Sequence, residues 1–395
     1  MFAIIKGLLF FSVLSYKANG WEEIQYDKDG DLSLGEFILK YGSVPISTHE
    51  LTLSDGYIIE VYRLESEDAD TKKPFLLMHG LSGCSDSFFV DKKKSLPFFL
   101  MKQGYDVWLI NNRGTIHSRR HTRLNSRTDK EYWQFSWQEI GLMDMPATID
   151  LILANNKHEK VALLGHSEGS FEIFVGLSEL PEYNKKIAIS FHFGGAAYHS
   201  GCVPKMLNAG CRMRNLIQEL LDRMGIAQLI PSNGIRETLI SLCRLDTFSE
   251  TCRQFMFDLL VVTNDSFSDF KDVSFIFTKW ICGGSVREFL HFSQTGQSGI
   301  FARYDYGPRK NRKIYNSTLP PRFHLERVTS PTAIFCGMED LFCRKENIDK
   351  ARSEIPNVVF AKLIPHFGHV DFLLDRALQH HIYKDMIKLL RKYFK

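Results

Sequence analysis

The sequence predicts an α/β protein with a mostly parallel central sheet and helices on both faces. Between residues 50 and 200, short β-rich runs alternate with helical patterns, and the same alternation returns near the C-terminus. Parallel strands need a crossover between them, usually a helix, so this alternation is typical of such a sheet. The 395 residues suffice for one large α/β unit that carries an insertion.

Four strands and two helices are predicted in the first half of the chain. The strands are Tyr57–Tyr62, Pro74–Met78, Asp106–Ile110 and Lys160–Leu164. Helical patterns lie between them at Ser95–Lys102 and Asp144–Ala154, and Pro146 is tolerated near the start of the second. The order strand, loop, helix, strand indicates a sheet covered on both faces.

The pattern changes after about residue 198, where short helical stretches with scattered Cys and Gly replace the strands. The strands return at Pro331–Cys336 and Val358–Ile364, and an amphipathic helix is predicted from about Gln379 to Tyr393. We therefore expect a core domain interrupted by a cap. The predicted core comprises residues 21–197 and 323–395, and the predicted cap comprises residues 198–322.

The first twenty residues have the layout of a secretory signal. Lys6 precedes an apolar stretch, Gly7–Leu14, and the small residues Ala18 and Gly20 follow. The apolar stretch is too short to span a bilayer of about 30 Å, which argues against a membrane anchor. We expect residues 1–20 to be removed and the chain to be extracellular or lysosomal, with no transmembrane span.

Composition supports the same compartment. Eight cysteines fit an oxidising environment, and the sequons at Asn264 and Asn316 are candidate glycosylation sites. The net charge of +3, with both signs interspersed, gives no reason to expect a nucleic acid partner.

No metal site is predicted. None of the cysteines forms a CxxC pair, so a zinc ribbon lacks support. The acidic run Asp27–Asp31 resembles the start of an EF-hand loop, which requires Gly at its sixth position and Glu at its twelfth. Those positions hold Leu32 and Ile38, so the calcium motif fails.

Gly165-His166-Ser167-Glu168-Gly169 matches G-x-S-x-G in the right context, because an apolar strand precedes it and a helical pattern follows. A sharp strand-to-helix turn lifts the central serine hydroxyl clear of the sheet, and the flanking glycines avoid clashes at so tight a turn. Ser167 is therefore the candidate nucleophile.

A serine nucleophile needs a base and an acid that orients it, and in this arrangement both follow late strands. Asp340 is the preferred acid after Pro331–Cys336, with Glu339 as its rival. His369 is the preferred base after Val358–Ile364, with His366 as its rival.

An oxyanion hole would use two backbone N–H groups. One belongs to the residue after the nucleophile, Glu168, and the other to the loop after Pro74–Met78, where Leu81 is the choice.

Several separate blocks resemble the acid lipase family of α/β-hydrolases, which includes gastric lipase and lysosomal acid lipase. The resemblance runs from about residue 43 to the C-terminus. The blocks are Ser54–Ile58, His79–Leu81, Gly104–Leu109, Asn112–Gly114, Met145–Asp150, Gly165–Gly169 and His369–Phe372.

The resemblance implies a cofactor-free lipase that acts on triacylglycerols or cholesteryl esters at a lipid–water interface. It assigns Ser167, Asp340 and His369 to the triad, Leu81 and Glu168 to the oxyanion hole, and a lid to the cap. It also implies a cap disulfide, Cys243–Cys252. Two alternatives remain open: a carboxylesterase for small soluble esters, and a catalytically silent lipid-binding protein on a lipase scaffold.

The chain departs from the family where Glu168 replaces the usual Gln and where two cysteine pairs, Cys202/Cys211 and Cys336/Cys343, are unfamiliar. Ionised Glu168 would oppose the negative charge that develops at the oxyanion site. The favoured interpretation is instead a carboxylate facing the helix N-terminus, where acids are stabilised.

Overall fold

The structure is a computed structural model. It describes residues 28–199, 214–229, 235–245, 251–252, 273–374 and 382–395, together with residues 248 and 254. Within these ranges, no helix combines the length and the hydrophobicity needed to cross a bilayer. The predicted signal segment, Asn264 and the Cys202/Cys211 pair lie outside the described residues.

Nine strands of the described chain form one sheet in the order β1-β2-β4-β3-β6-β7-β8-β9, with β5 paired to β2. The pairs from β4 to β9 along this order are parallel, and those made by β1, β2 and β5 are antiparallel. The predicted α/β class with a mostly parallel sheet is confirmed. The strands are β1 Ile46–Thr52, β2 Tyr57–Leu64, β3 Lys73–Met78, β4 Tyr105–Ile110, β5 Arg120–His121, β6 Val161–His166, β7 Ile187–Phe193, β8 Thr332–Gly337 and β9 Val358–Ile364.

Helices cover the sheet and occur in the described parts of the stretch between β7 and β8. A π-helical turn, Ile140–Asp144, joins α3 to α4. The helices are α1 Leu34–Gly42, α2 Leu96–Lys102, α3 Trp137–Glu139, α4 Met145–Ala154, α5 Glu168–Glu179, α6 Arg214–Met224, α7 Ile235–Cys243, α8 Val273–Trp280, α9 Val286–Ser298, α10 Pro308–Tyr315, α11 Lys345–Glu354, α12 Asp371–Leu374 and α13 Lys384–Tyr393.

The sheet separates two apolar cores because successive strand side chains point to opposite faces. In β3, Phe75 and Leu77 enter the core formed with α1, α2 and α13. Leu76 and Met78 enter the core formed with α4 and α5. Every residue of β4, β6 and β7 is buried, which explains their nearly continuous apolar sequences.

Sequence reasoning did not name several elements, among them β1, β5, β7, α1 and α11. β1 (ISTHELT) lies at the edge of the sheet with partly exposed residues, and few of its residues are apolar. Its sequence therefore lacks a strong strand pattern. The last helix is described from Lys384 to Tyr393, and its predicted start at Gln379 lies outside the described residues.

Three disulfides occur among the described residues: Cys84–Cys282, Cys243–Cys252 and Cys336–Cys343. The first joins the loop after β3 to the residues that follow α8, 198 positions later. It therefore ties the core to the region between β7 and β8. Asn316 of the second sequon is exposed at the end of α10.

The disulfide Cys84–Cys282 should stabilise the fold more than Cys243–Cys252, because it closes a loop of 198 rather than 9 residues. The chain-entropy relation gives about 5 and about 3 kcal/mol, respectively. We expect the Cys84→Ser/Cys282→Ser variant to lose about 2 kcal/mol more unfolding free energy than Cys243→Ser/Cys252→Ser, as measured by denaturant titration. Equal losses would contradict this ranking.

Candidate active site

Ser167 sits at the turn between β6 and α5 in a strained backbone conformation, with φ of 53° and ψ of −115°. The turn is close-packed. A Cβ on Gly165 would lie 2.4 Å from the carbonyl carbon of Gly169, and a Cβ on Gly169 would lie 2.5 Å from the Met78 oxygen. Only glycine fits these two positions, so the sequence pattern and the sharp turn require one another.

Three predicted site residues that lie far apart in the sequence meet at this turn. His369 Nε2 lies 2.7 Å from Ser167 Oγ, and His369 Nδ1 lies 3.0 Å from Asp340 Oδ2. All three follow parallel strands, whose carboxyl ends meet at one edge of the sheet. The arrangement lets the imidazole accept the serine proton while the carboxylate orients the ring.

The loop that carries Asp340 is fixed on both sides. Asp340 Oδ1 accepts hydrogen bonds from the backbone N–H groups of Phe342, at 2.7 Å, and Cys343, at 3.1 Å. The disulfide Cys336–Cys343 closes the same loop. The carboxylate is buried, so these bonds and His369 satisfy its acceptor oxygens in place of water.

His369 is held from behind by the residue that precedes the nucleophile. His166 Nε2–H donates to the backbone oxygen of His369 at 3.1 Å, since a carbonyl can only accept. Burial lowers the pKa of His166 to about 3, so its imidazole stays neutral and keeps this donor.

The two rival residues lie together on the surface. Glu339 Oε1 is 3.4 Å from His366 Nδ1, and both side chains are more than half exposed. His369 therefore contacts Ser167 directly and Asp340 contacts His369, whereas Glu339 and His366 form a separate surface pair.

Of the two predicted oxyanion donors, Glu168 directly follows Ser167, and Leu81 directly follows Gly80, whose turn packs on Ser167. α5 begins at Glu168, and the first N–H groups of a helix have no acceptor within the helix. On the other side, a Cβ on Gly80 would lie 3.1 Å from Ser167 Cβ, so the turn that continues into Leu81 packs on the nucleophile.

The Glu168 carboxyl is buried rather than solvated. Burial raises its pKa well above the usual range, and the neighbouring carboxyls of Glu288 and Glu172 raise it further. These surroundings favour the protonated carboxyl over an ionised carboxylate at the helix N-terminus, and the expectation for Glu168 stays a prediction. Sequence reasoning missed Glu172 and Glu288, although an acid inside the apolar run SFEIFVGL is an anomaly that could have pointed to Glu172.

One group of three potential metal ligands comes together among the described residues: Cys84, Asp86 and His117. Cys84 is bonded to Cys282 and offers no thiolate. The other two side chains are paired with each other, because His117 Nε2 lies 2.9 Å from Asp86 Oδ1. We assign no metal to this group.

Known proteins share this fold and much of this sequence. A family model for the "alpha/beta hydrolase fold" matches residues 73–190, and one for a "partial alpha/beta-hydrolase lipase region" matches residues 35–92. "Lipase 1" of Drosophila melanogaster is 32% identical and covers 92% of this chain and 81% of its own. Human "lysosomal acid lipase/cholesteryl ester hydrolase" is 30% identical over 96% of each chain. A thermophilic esterase structure from Thermogutta terrifontis matches with a TM-score of 0.51 and 16% identity over 88% of this chain and 100% of its own, which shows the fold alone.

The close approach at Gly169 makes a specific stability prediction. Gly169→Ala places a Cβ 2.5 Å from the Met78 oxygen and 2.9 Å from the His79 oxygen, so α5 must move away from β3. We expect a loss of about 2 kcal/mol or more in unfolding free energy, with a loss of activity. Gly35→Ala is the control, because its Cβ meets nothing closer than 3.9 Å in α1 and should leave stability unchanged or slightly higher. Similar unfolding free energies for the two variants would refute the packing argument.

Proposed function

The chain belongs to the acid lipase family of α/β-hydrolases, and we propose that it hydrolyses neutral lipid esters through Ser167, His369 and Asp340. The relatives are named lipases, and one name includes a cholesteryl ester hydrolase, so the chain is a carboxylic ester hydrolase. The observation that carries the proposed mechanism is the unbroken contact from Ser167 Oγ through His369 to Asp340.

The hydrogen bonds determine which nitrogen of His369 carries a proton at rest. Asp340 is an acceptor, so Nδ1–H donates to it and Nε2 accepts from the Ser167 hydroxyl. Ser167 Oγ then attacks the ester carbonyl as its proton passes to Nε2. Asp340 stabilises the imidazolium that forms.

The tetrahedral intermediate collapses when the ester oxygen leaves with the proton from His369 Nε2. Water then attacks the acyl-enzyme by the same route and releases the carboxylic acid. During both steps the N–H groups of Glu168 and Leu81 would stabilise the oxyanion. One such donor contributes about 2.7–4 kcal/mol to transition-state stabilisation.

Contact with a lipid surface is supported by the cap helix α6. Its Leu220 and Met224 lie one turn apart, with exposed fractions of 48% and 66%. Exposed apolar side chains in a segment that would cover the active site suit a substrate presented at a lipid–water interface.

A secretory route is supported by the disulfides among the described residues and by the exposed sequon at Asn316. Disulfides persist in oxidising compartments, which include the secretory pathway and extracellular space. The predicted removal of residues 1–20 and the delivery of the enzyme outside the cell or to the lysosome belong to this proposal.

The choice of triad residues can be tested against matched neighbours. Asp340→Asn should lower kcat by about 10⁴-fold, because it favours the wrong tautomer of His369. Glu339→Gln changes the adjacent exposed carboxyl and should leave kcat nearly unchanged. His369→Gln and His366→Gln form the corresponding pair for the base, and loss of activity in His366→Gln alone would overturn the assignment.

The substrate class is tested with emulsions of a long-chain triacylglycerol and a cholesteryl ester at about pH 5 and about pH 7. We expect turnover that increases when the substrate exceeds its solubility and that disappears in Ser167→Ala. Turnover of soluble short-chain esters alone would favour the carboxylesterase. Lipid binding without turnover of any ester would favour the silent binding protein.

A further inference from the structure

A line of hydrogen bonds connects the buried Glu172 to the loop that carries the second oxyanion donor. Asn112 Nδ2–H donates to Glu172 Oε1 at 2.7 Å, and the backbone N–H of Asn112 donates to His79 Nε2 at 3.1 Å. Since Nε2 accepts, Nδ1 carries the proton of His79 and donates to the Gly80 oxygen at 2.9 Å. Burial lowers the pKa of His79 to about 4, which keeps this tautomer neutral.

The line is incomplete at its Glu172 end. Among the described residues, no hydrogen-bond partner is found for Glu172 Oε2 or for Asn112 Oδ1, and both atoms are buried. Both are acceptors while Glu172 is ionised. A proton on Oε2 makes it a donor and offers the acid and the amide a second mutual hydrogen bond.

The surroundings also disfavour an ionised Glu172. The carboxyls of Glu168 and Glu288 are buried with it, and the hydrogen bond found for it within the described part of the chain is the one from Asn112. The nearby buried cation, Arg113, already holds two carboxylates: its Nη2 is 2.7 Å from Asp144 Oδ1 and its Nη1 is 2.5 Å from Asp55 Oδ2. A buried carboxylate without a countercharge costs several kcal/mol.

We propose that Glu172, in its protonated form, is a positioning residue that fixes the oxyanion loop through Asn112 and His79. This inference rests on the proposed hydrolytic function and deepens it. Ionisation of Glu172 would remove the donor on Oε2 and place a buried negative charge without a countercharge beside the carboxyls of Glu168 and Glu288. Both changes disturb the loop that packs on Ser167, so the rate should fall as pH rises.

The direction of the pH effect follows from the carboxyl groups. Burial first, and then Glu288 and Asp144, raise the pKa of Glu172 well above the usual 4.5, whereas its bond from Asn112 opposes this. Burial raises the pKa of Glu288 to about 8. Glu172 and Glu288 bind protons more tightly in the folded chain than in the unfolded chain. Their protonation therefore contributes fully to the free energy of unfolding below about pH 4.5, and this contribution is lost as the pH rises through their pKa in the folded chain.

Among the described residues, the other elements packed around α5 do not supply a buried countercharge to Glu172. His166 in β6 and His192 in β7 are buried, and burial lowers the pKa of each to about 3. Glu139 in α3 adds negative charge near Glu288. Toward the far end of α5, Glu179 pairs with Arg303 and Lys186 with Asp150. The exposed charged side chains of the adjoining turns are Glu182, Lys185, Glu326 and Arg327.

Three substitutions distinguish a role for the protonated Glu172 carboxyl from a role as a side chain that only fills buried space. Glu172→Gln keeps the acceptor and places an amide donor where the proposal puts the Oε2 proton, but it cannot ionise. Glu172→Met keeps an unbranched chain and loses both hydrogen-bonding atoms. Glu182→Gln removes a carboxyl from an exposed position and is the control.

The experiment measures kcat and KM of the full-length enzyme from about pH 4 to about pH 8, together with Tm over the same range. We expect Glu172→Gln to keep the wild-type kcat at acid pH within about twofold and to extend activity upward by about one pH unit or more. Its Tm should fall less with rising pH than that of the wild type. Glu172→Met should lose about tenfold or more in kcat at every pH with KM nearly unchanged, because the oxyanion donor is displaced.

An unchanged pH profile and an unchanged Tm slope in Glu172→Gln would overturn the proposal, as would a loss in Glu172→Gln equal to that in Glu172→Met. If Glu172→Met does not fold, the pH profile of kcat and the change of Tm with pH in Glu172→Gln still test the proposal. A wild-type enzyme without turnover that depends on Ser167 would instead refute the proposed function. The Tm slope does not depend on turnover, so the two failures can be told apart.

Discussion

The backbone at Ser167 is the constraint on which the active site depends. A non-glycine residue at φ of 53° and ψ of −115° is unfavourable by itself, and it persists because the surrounding packing leaves no alternative. Gly165 touches the start of α5, Gly169 touches the end of β3, and the Ser167 N–H donates to the Phe193 oxygen of β7 at 2.8 Å. Three neighbouring strands and one helix therefore hold a single residue, which is why the turn needs the fully buried centre of a parallel sheet.

The other two residues of the proposed triad reach Ser167 through the topology of the sheet. β8 and β9 are parallel to β6, so the loops after them open at the edge where the nucleophile lies. Each loop then has its own restraint: a disulfide and two N–H donors for Asp340, and a bond from His166 for His369. His166, next to Ser167 in the same motif, thus holds His369 in place, and the geometry of the proposed triad depends on contacts within the loops as well as on the sheet.

Local patterns in the sequence were enough to predict the α/β class, the elbow and the strands that precede the acid and the base. These features depend on residues adjacent in the chain, where strand, turn and helix preferences act directly. Geometry was needed to separate Asp340 from Glu339, because both follow the same strand and only the folded loop exposes one and buries the other. β7 was missed because an apolar run next to a helix has no distinguishing period. The pair Asn112 and Glu172, 60 residues apart, has no local signal beyond an acid in an apolar helix.

The buried carboxyls connect the chemistry of the site to the solution around it. Glu168 and Glu172 lie one turn apart on α5, the helix that starts at the nucleophile, and Glu288 of α9 closes the group from the region between β7 and β8. Gln at either α5 position could form hydrogen bonds without making stability depend on pH. The carboxyls, in contrast, lower the free energy of unfolding as the pH rises. Because Glu168 and Glu172 lie on α5 and Glu288 lies on α9, their ionisation would place repelling charges on these two helices. Protonation of this group therefore favours the folded arrangement of the two helices.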